Sequence, residues 1–119
     1  MSGARALGEV FPALAAGAWR GLRFEPFREG VEIARLYGSA DSGPSGAILK
    51  YRPGASTPRH RHAGYETIVV LEGSQSDEHA LYRTGDVVVN RPGTVHRVRS
   101  DAGCVVLIVW QTPVEILEP

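Results

Sequence analysis

Glycine and proline constrain this chain most: 14 glycines and 8 prolines are spread along its length instead of gathered in one linker. They cut the apolar sequence into short runs, and short β-rich runs separated by turn residues predict an all-β fold, a sandwich or a barrel. The candidate strands are Leu22–Phe27, Val31–Tyr37, Ala47–Arg52, Glu66–Glu72, His79–Tyr82, Asp86–Asn90, His96–Arg99, Cys104–Gln111 and Val114–Leu117. Between them lie turn sequences: Arg28-Glu29-Gly30, Arg52-Pro53-Gly54, Glu72-Gly73-Ser74, Arg83-Thr84-Gly85, Arg91-Pro92-Gly93, Asp101-Ala102-Gly103 and a Ser/Gly/Pro loop over 39–46.

Two runs, Thr67–Leu71 and Cys104–Trp110, are continuously apolar and mostly β-branched, which suits strands covered on both faces or lying in an oligomer interface. Val31–Tyr37 partly alternates and should keep one wetter face. Residues 4–16 are dense in Ala and Leu and form the one helix-like segment, limited in length by Pro12. The neighbouring apolar stretch Val10–Trp19 is short and contains that proline, so it reads as a packed arm over 1–21, not as a signal or a membrane span. Residues 22–119 then form the single barrel, as a chain of 119 residues allows.

Charge and cysteine narrow the function. Lys+Arg and Asp+Glu both number 13, so the net charge is zero, which disfavours a nucleic-acid or membrane-surface partner. One cysteine forms neither an internal disulfide nor a thiolate zinc cage. The expectation is a cytoplasmic domain with a small-molecule site.

The segment from Gly54 to Gly73 holds the chemistry. His60 and His62 are two residues apart, so on an extended strand both imidazoles face one way, and Glu66 has the same parity. His96, after the turn at Arg91–Thr94, is the candidate for a further nitrogen donor. Three imidazoles and a carboxylate suit a divalent first-row ion. Six-coordinate Fe, Mn or Ni would keep two open positions, and Zn would be closed by the four donors. Taken alone, a histidine pair in Arg59-His60-Arg61-His62 is more often a solvated turn or an anion-binding patch than a metal site. The complete spacing from Gly54 through His60, His62 and Glu66 to Gly73 makes the metal reading the stronger one.

Those five residues resemble the first signature motif of the cupin superfamily. Gly85–His96 resembles the second, with Pro92 one position late and Ser100 where an Asn is common. A narrower resemblance, over residues 50–111, is to the cupin domain of ChrR-type anti-sigma factors. It is carried by Pro58–His62, Leu71–His79, Arg91–His96 and Gly103-Cys104. It implies a double-stranded β-helix jelly-roll barrel, a metal on His60, His62, Glu66 and His96, and two kinds of relative: zinc-binding sensors and an iron-dependent, diketone-cleaving dioxygenase. No helical zinc domain resembling the sigma-binding part precedes residue 50, so a free-standing barrel is expected. A sugar isomerase or epimerase on the same barrel is a weaker alternative.

The remaining candidates have plain structural readings. His79 is expected to point outward or bond locally, and Cys104 to be a small buried hydrophobe. Tyr51, Tyr65 and Trp110 are candidates for lining a substrate pocket, although strand aromatics are commonly core. Alternation places Arg59, Arg61, Arg97 and Arg99 away from the histidines, on a solvated outer surface, and Arg91 flanks the turn. The surplus of apolar side chains in Cys104–Trp110, with the arm or the tail available as an exchanged edge, predicts a homodimer.

Overall fold

The computed structural model describes residues 8–118. The strands are β1 (Glu25–Arg28), β2 (Val31–Tyr37), β3 (Ser45–Tyr51), β4 (Ala55–Ser56), β5 (His60–Arg61), β6 (Glu66–Ser76), β7 (Leu81–Arg83), β8 (Val87–Asn90), β9 (Val95–His96), β10 (Arg99–Ser100), β11 (Cys104–Trp110) and β12 (Glu115–Ile116). All pairings are antiparallel. One large curled sheet runs β1-β2-β3-β11-β6-β10-β4, with β7 and β8 also on β6, and a small sheet runs β12-β5-β9. This is an all-β jelly-roll. Among the described residues no helix is long and apolar enough to cross a membrane.

The two continuous apolar runs are the centre of the large sheet. β11 pairs with β3 along one side and β6 along the other, so its backbone is fully laddered. Its side chains feed two cores. Cys104, Val106 and Ile108 face the barrel interior with Val31, Ile33, Leu49, Ile68, Val70 and Val98. Val105 faces outward against Trp19, Ala34 and Ile48, with Leu14, Leu22 and Phe24 packed around them. Trp19 is buried there, on a 3₁₀ turn at Ala18–Gly21. Each such buried aliphatic or aromatic side chain contributes about 1.5–3 kcal/mol.

Several local readings change. The helix expected over 4–16 does not form: residues 8–11 are irregular, 12–17 are turns, and 4–7 lie outside the described residues; Pro12 and Gly17 leave too short a run for a helix to nucleate. Gly73-Ser74 is not a hairpin turn, because β6 continues to Ser76. Gly73 has φ 73° and approaches β11 so closely that a Cβ there would lie 2.2 Å from the Gly103 carbonyl oxygen. The register slips beside it, between Val105 and Val106. A positive-φ glycine bends a bulged strand as readily as it turns a chain. The strand expected over His96–Arg99 is two pieces, β9 in the small sheet and β10 in the large one. The hairpin strand begins at Leu81 instead of His79, since Asp77–Ala80 closes a tight loop, the Asp77 N–H bonding the Ala80 carbonyl at 3.1 Å.

Candidate metal centre

The two sheets meet at four polar side chains. His60 on β5 lies directly across from His96 on β9. His62 follows β5, tied by its N–H to the Thr94 carbonyl (2.9 Å) and by its own carbonyl to the Gly93 N–H (2.7 Å). Glu66 opens β6 in the large sheet, paired with Trp110 and Asn90. The four are buried, and one candidate ligand atom from each lies within 4.8 Å of all the others. The imidazole rings stand edge to face, with centroids 4.6 Å apart for His60–His96 and His62–His96 and 5.1 Å for His60–His62.

What lies behind each ring fixes which nitrogen is free. His60 Nδ1 donates to the Pro58 carbonyl at 2.8 Å. His62 Nδ1 donates to Thr94 Oγ1 at 2.9 Å, that hydroxyl itself donating to the Arg91 carbonyl at 2.6 Å. His96 Nδ1 donates to Asp77 Oδ2 at 3.0 Å. With Nδ1 carrying the proton of each neutral ring, each Nε2 presents a lone pair to an ion; in the metal-free protein a second proton on His62 lets its Nε2 donate to Glu66. His62 Nε2 sits 3.1 Å from Glu66 Oε1. His96 Nε2 is the one buried side-chain polar atom without a partner among the described residues. A buried, unpaired nitrogen facing two other imidazoles and a carboxylate is costly unless a cation fills the gap, so the donor set fits a divalent ion.

The carboxylates are held ionised. Glu66 accepts from Trp110 Nε1 (2.7 Å, Oε2) and Asn90 Nδ2 (3.0 Å, Oε1). Burial pushes its pKa up, but the hydrogen bond and charge of His62, then His60 and His96, outweigh this and hold it below the usual value. Burial also pulls His62 down, and here the Glu66 bond and charge win and raise it. His60 is lowered, first by burial, and so stays neutral. Asp77 gathers donors from His96, the N–H groups of His79 (2.8 Å) and Ala80 (3.1 Å), and the Tyr82 hydroxyl (2.9 Å). Its burial is outweighed by these bonds, which lower its pKa.

A small cavity of about 50 Å³ adjoins the centre. His60 and Glu66 form its polar floor, and its walls include Leu49, Tyr51, Ile68, Val98, Ile108 and Trp110. Trp110 thus lines the cavity and also anchors Glu66. Tyr51 lines it as part of the interior core; its phenol is pushed well up, first by burial and then by neighbouring Cys104 and the Glu66 charge, with Arg28 opposing. Tyr65 is exposed and does not line this cavity. His79 is exposed and takes part through its backbone alone, Cys104 is buried, and Arg59, Arg61, Arg91, Arg97 and Arg99 are exposed. Asp77, Asn90 and Thr94, and the indole donor role of Trp110, have no mark in the sequence, because pairing between distant strands creates each of them.

Residues 15–115 match the ChrR cupin-like domain family. The chain belongs to that family. No curated protein matches it. Among solved structures, this cupin resembles a chain of the Rhodobacter sphaeroides SigE complex with the anti-sigma ChrR at 23% identity and TM-score 0.69, covering 82% of this chain and 55% of that one. It resembles an acetylacetone dioxygenase from Acinetobacter johnsonii at 15% identity and TM-score 0.74, covering 97% and 79%. It also resembles the DMSP lyase DddQ of Ruegeria pomeroyi DSS-3 at 20% identity and TM-score 0.65, covering 86% and 64%. These identities carry the cupin fold alone, and the chain spans little more than half of the SigE–ChrR chain it matches.

Proposed function

We propose that this cupin is a metal-dependent oxygenase acting on a small organic molecule, with His60, His62, Glu66 and His96 as the metal ligands. The observation that carries the reading is the unpartnered Nε2 of His96 within a buried ring of four donors, beside an apolar cavity that reaches two of them. A divalent first-row ion bound there would supply Lewis-acid polarisation and a binding site for dioxygen. The protein's own part is positioning. The Pro58 carbonyl, Thr94 and Asp77 keep the three Nδ1 protons in place, so that each Nε2 is presented as a lone pair. Trp110 and Asn90 hold the Glu66 carboxylate ionised and fixed. Leu49, Ile68, Val98 and Ile108 exclude water from the space where a substrate would lie.

Dioxygen uptake tests this reading. Fe(II)-loaded protein, offered small dicarbonyls, enols and thiols in an oxygen electrode, should consume dioxygen with at least one of them, and His96→Ala should not. Silence across the panel would contradict it. The second reading is a zinc-bound sensor or ligand-binding module without turnover. It is favoured by the four protein donors, which are enough to close a tetrahedral zinc site, and by the family match. Here chelation should lower the melting temperature by about 10 °C if zinc is present at about 100 times its Kd. An unchanged melting temperature would count against zinc as a structural ion.

A further inference from the structure

Arg28, the last residue of β1, lines the cavity at the metal centre and also a neighbouring outer cavity of about 100 Å³. The outer cavity is bordered by Arg35, Ser39, Ala40 and Ser45, and both share Phe27, Arg28, Trp110 and Val114. The two cavities therefore adjoin, with Arg28 on the wall they share and His60 and Glu66 at the far side of the inner one. Arg28 is half-buried. Among the described residues no carboxylate lies within 4.0 Å of Arg28 or Arg35, whereas Arg20, Arg61, Arg97 and Arg99 on the outer surface each have a carboxylate partner.

What Arg28 does have is Phe27, its guanidinium carbon 4.9 Å from the ring centroid, with Arg35 at 6.0 Å from the same ring. Stacking on a ring steadies a guanidinium but leaves its N–H donors free for a planar anion. Among the described residues Glu66 is the one carboxylate bordering the inner cavity, and it is already bonded by Trp110, Asn90 and His62. The walls between are apolar, so a charge at the Arg28 end is weakly screened.

We infer that the cavity takes a small carboxylate, its anionic end held by Arg28 with Arg35 at the outer mouth and its apolar body directed towards the metal centre. The modest volume selects a ligand of few heavy atoms. This deepens the reading of the cavity as the substrate site, and it stands or falls separately from the oxygen chemistry.

The test is calorimetric titration of the full chain, metal-free and zinc-loaded, with butanoate, 3-oxobutanoate and benzoate, each against its amide. At least one carboxylate should bind about 10-fold or more tightly than its amide, as a charge-assisted contact implies. Arg28→Gln should abolish that preference, the carboxylate's affinity falling about 10-fold further than the amide's, and Arg28→Lys, which keeps the charge but loses the fork, should retain part of it. Should Arg28→Gln fail to fold, a preference unchanged in Arg28→Lys and in Arg35→Gln overturns the inference. So does the absence of any carboxylate preference in the unaltered protein, even if a neutral diketone supports dioxygen uptake. Arg28-dependent carboxylate binding without dioxygen uptake upholds the inference and removes the oxygenase reading.

Discussion

His96 and Ser100 lie on successive short strands and are both almost wholly buried, at 4% and 0% exposure, yet their surroundings differ in kind. Ser100 Oγ donates to the Ser74 carbonyl at 2.5 Å, and nearby Gln75 Nε2 donates to Cys104 Sγ at 3.8 Å. Burial there pushes the Cys104 thiol up, so it stays protonated. That cluster is complete in itself. Around His96 the outward-facing Nδ1 is satisfied and the inward-facing Nε2 is not. Buried polarity alone does not mark a functional site. The mark is a set of donors whose backs are fixed and whose fronts converge on a place the protein leaves to something else.

The largest effect should come from removing a donor at the open cluster. His62→Ala is expected to weaken divalent-metal binding by more than about 100-fold, measured by competition with a chelator, and Ser100→Ala at the closed cluster to leave it unchanged. Equal losses in both variants would erase the distinction. Next comes Asp77→Asn, which keeps the shape but removes the charge behind His96. Metal affinity should fall about 10- to 100-fold, as for other partners of metal-binding histidines, while the melting temperature of the metal-free protein moves little by comparison.

At the open cluster, acidity acts with opposite sign on metal binding and on the metal-free fold. His62 has a folded pKa above 6.5, and its protonated form cannot bind metal. Metal affinity should therefore rise with pH, by at most about tenfold per unit, through 6.5 and up to that raised value, then flatten. In the metal-free protein the same shift acts the other way. The His62–Glu66 pair adds stability that is fully present below pH 6.5 and is lost as pH rises through the raised value. Glu66, held below 4.5, adds stability present above 4.5 and lost as pH falls through its lowered value. Denaturation at pH 5 to 8 with and without zinc should show these opposite trends, and trends of one sign would refute the assignment. The smallest change is Trp110→Phe, which removes the indole donor to Glu66 and should cost about tenfold in metal affinity. An unchanged affinity would show that Asn90 alone holds Glu66.

The difference between the clusters also explains what the sequence made legible. His60, His62 and Glu66 lie within seven residues of chain, which made them legible as a group, but strand parity holds for none beyond β5: the chain bends at Ala63-Gly64 and Glu66 reaches the histidines from β6 in the other sheet. Their supports depend on register between distant strands: Asp77 is 19 residues from His96, and Trp110 is 44 from Glu66. No local pattern encodes such a distance. The fold class was legible in the glycine and proline spacing, but the use of each glycine was not, and so Gly73 reads as a turn where it serves a bulge. The apolar surplus of β11, read as a dimer signal, is covered in part within the chain, by Trp19 and its neighbours on the outer face. No local pattern marks Arg28, which stands at a strand end beside a turn, far in sequence from the histidines it shares a cavity with.

The central claim is that the four convergent donors hold an ion, and elemental analysis of protein purified without a metal-affinity tag tests it most directly. About one divalent first-row ion per chain is expected, lost in His62→Ala and kept in Ser100→Ala. Protein that carries no stoichiometric metal, and whose metal-free form takes up none, would contradict it.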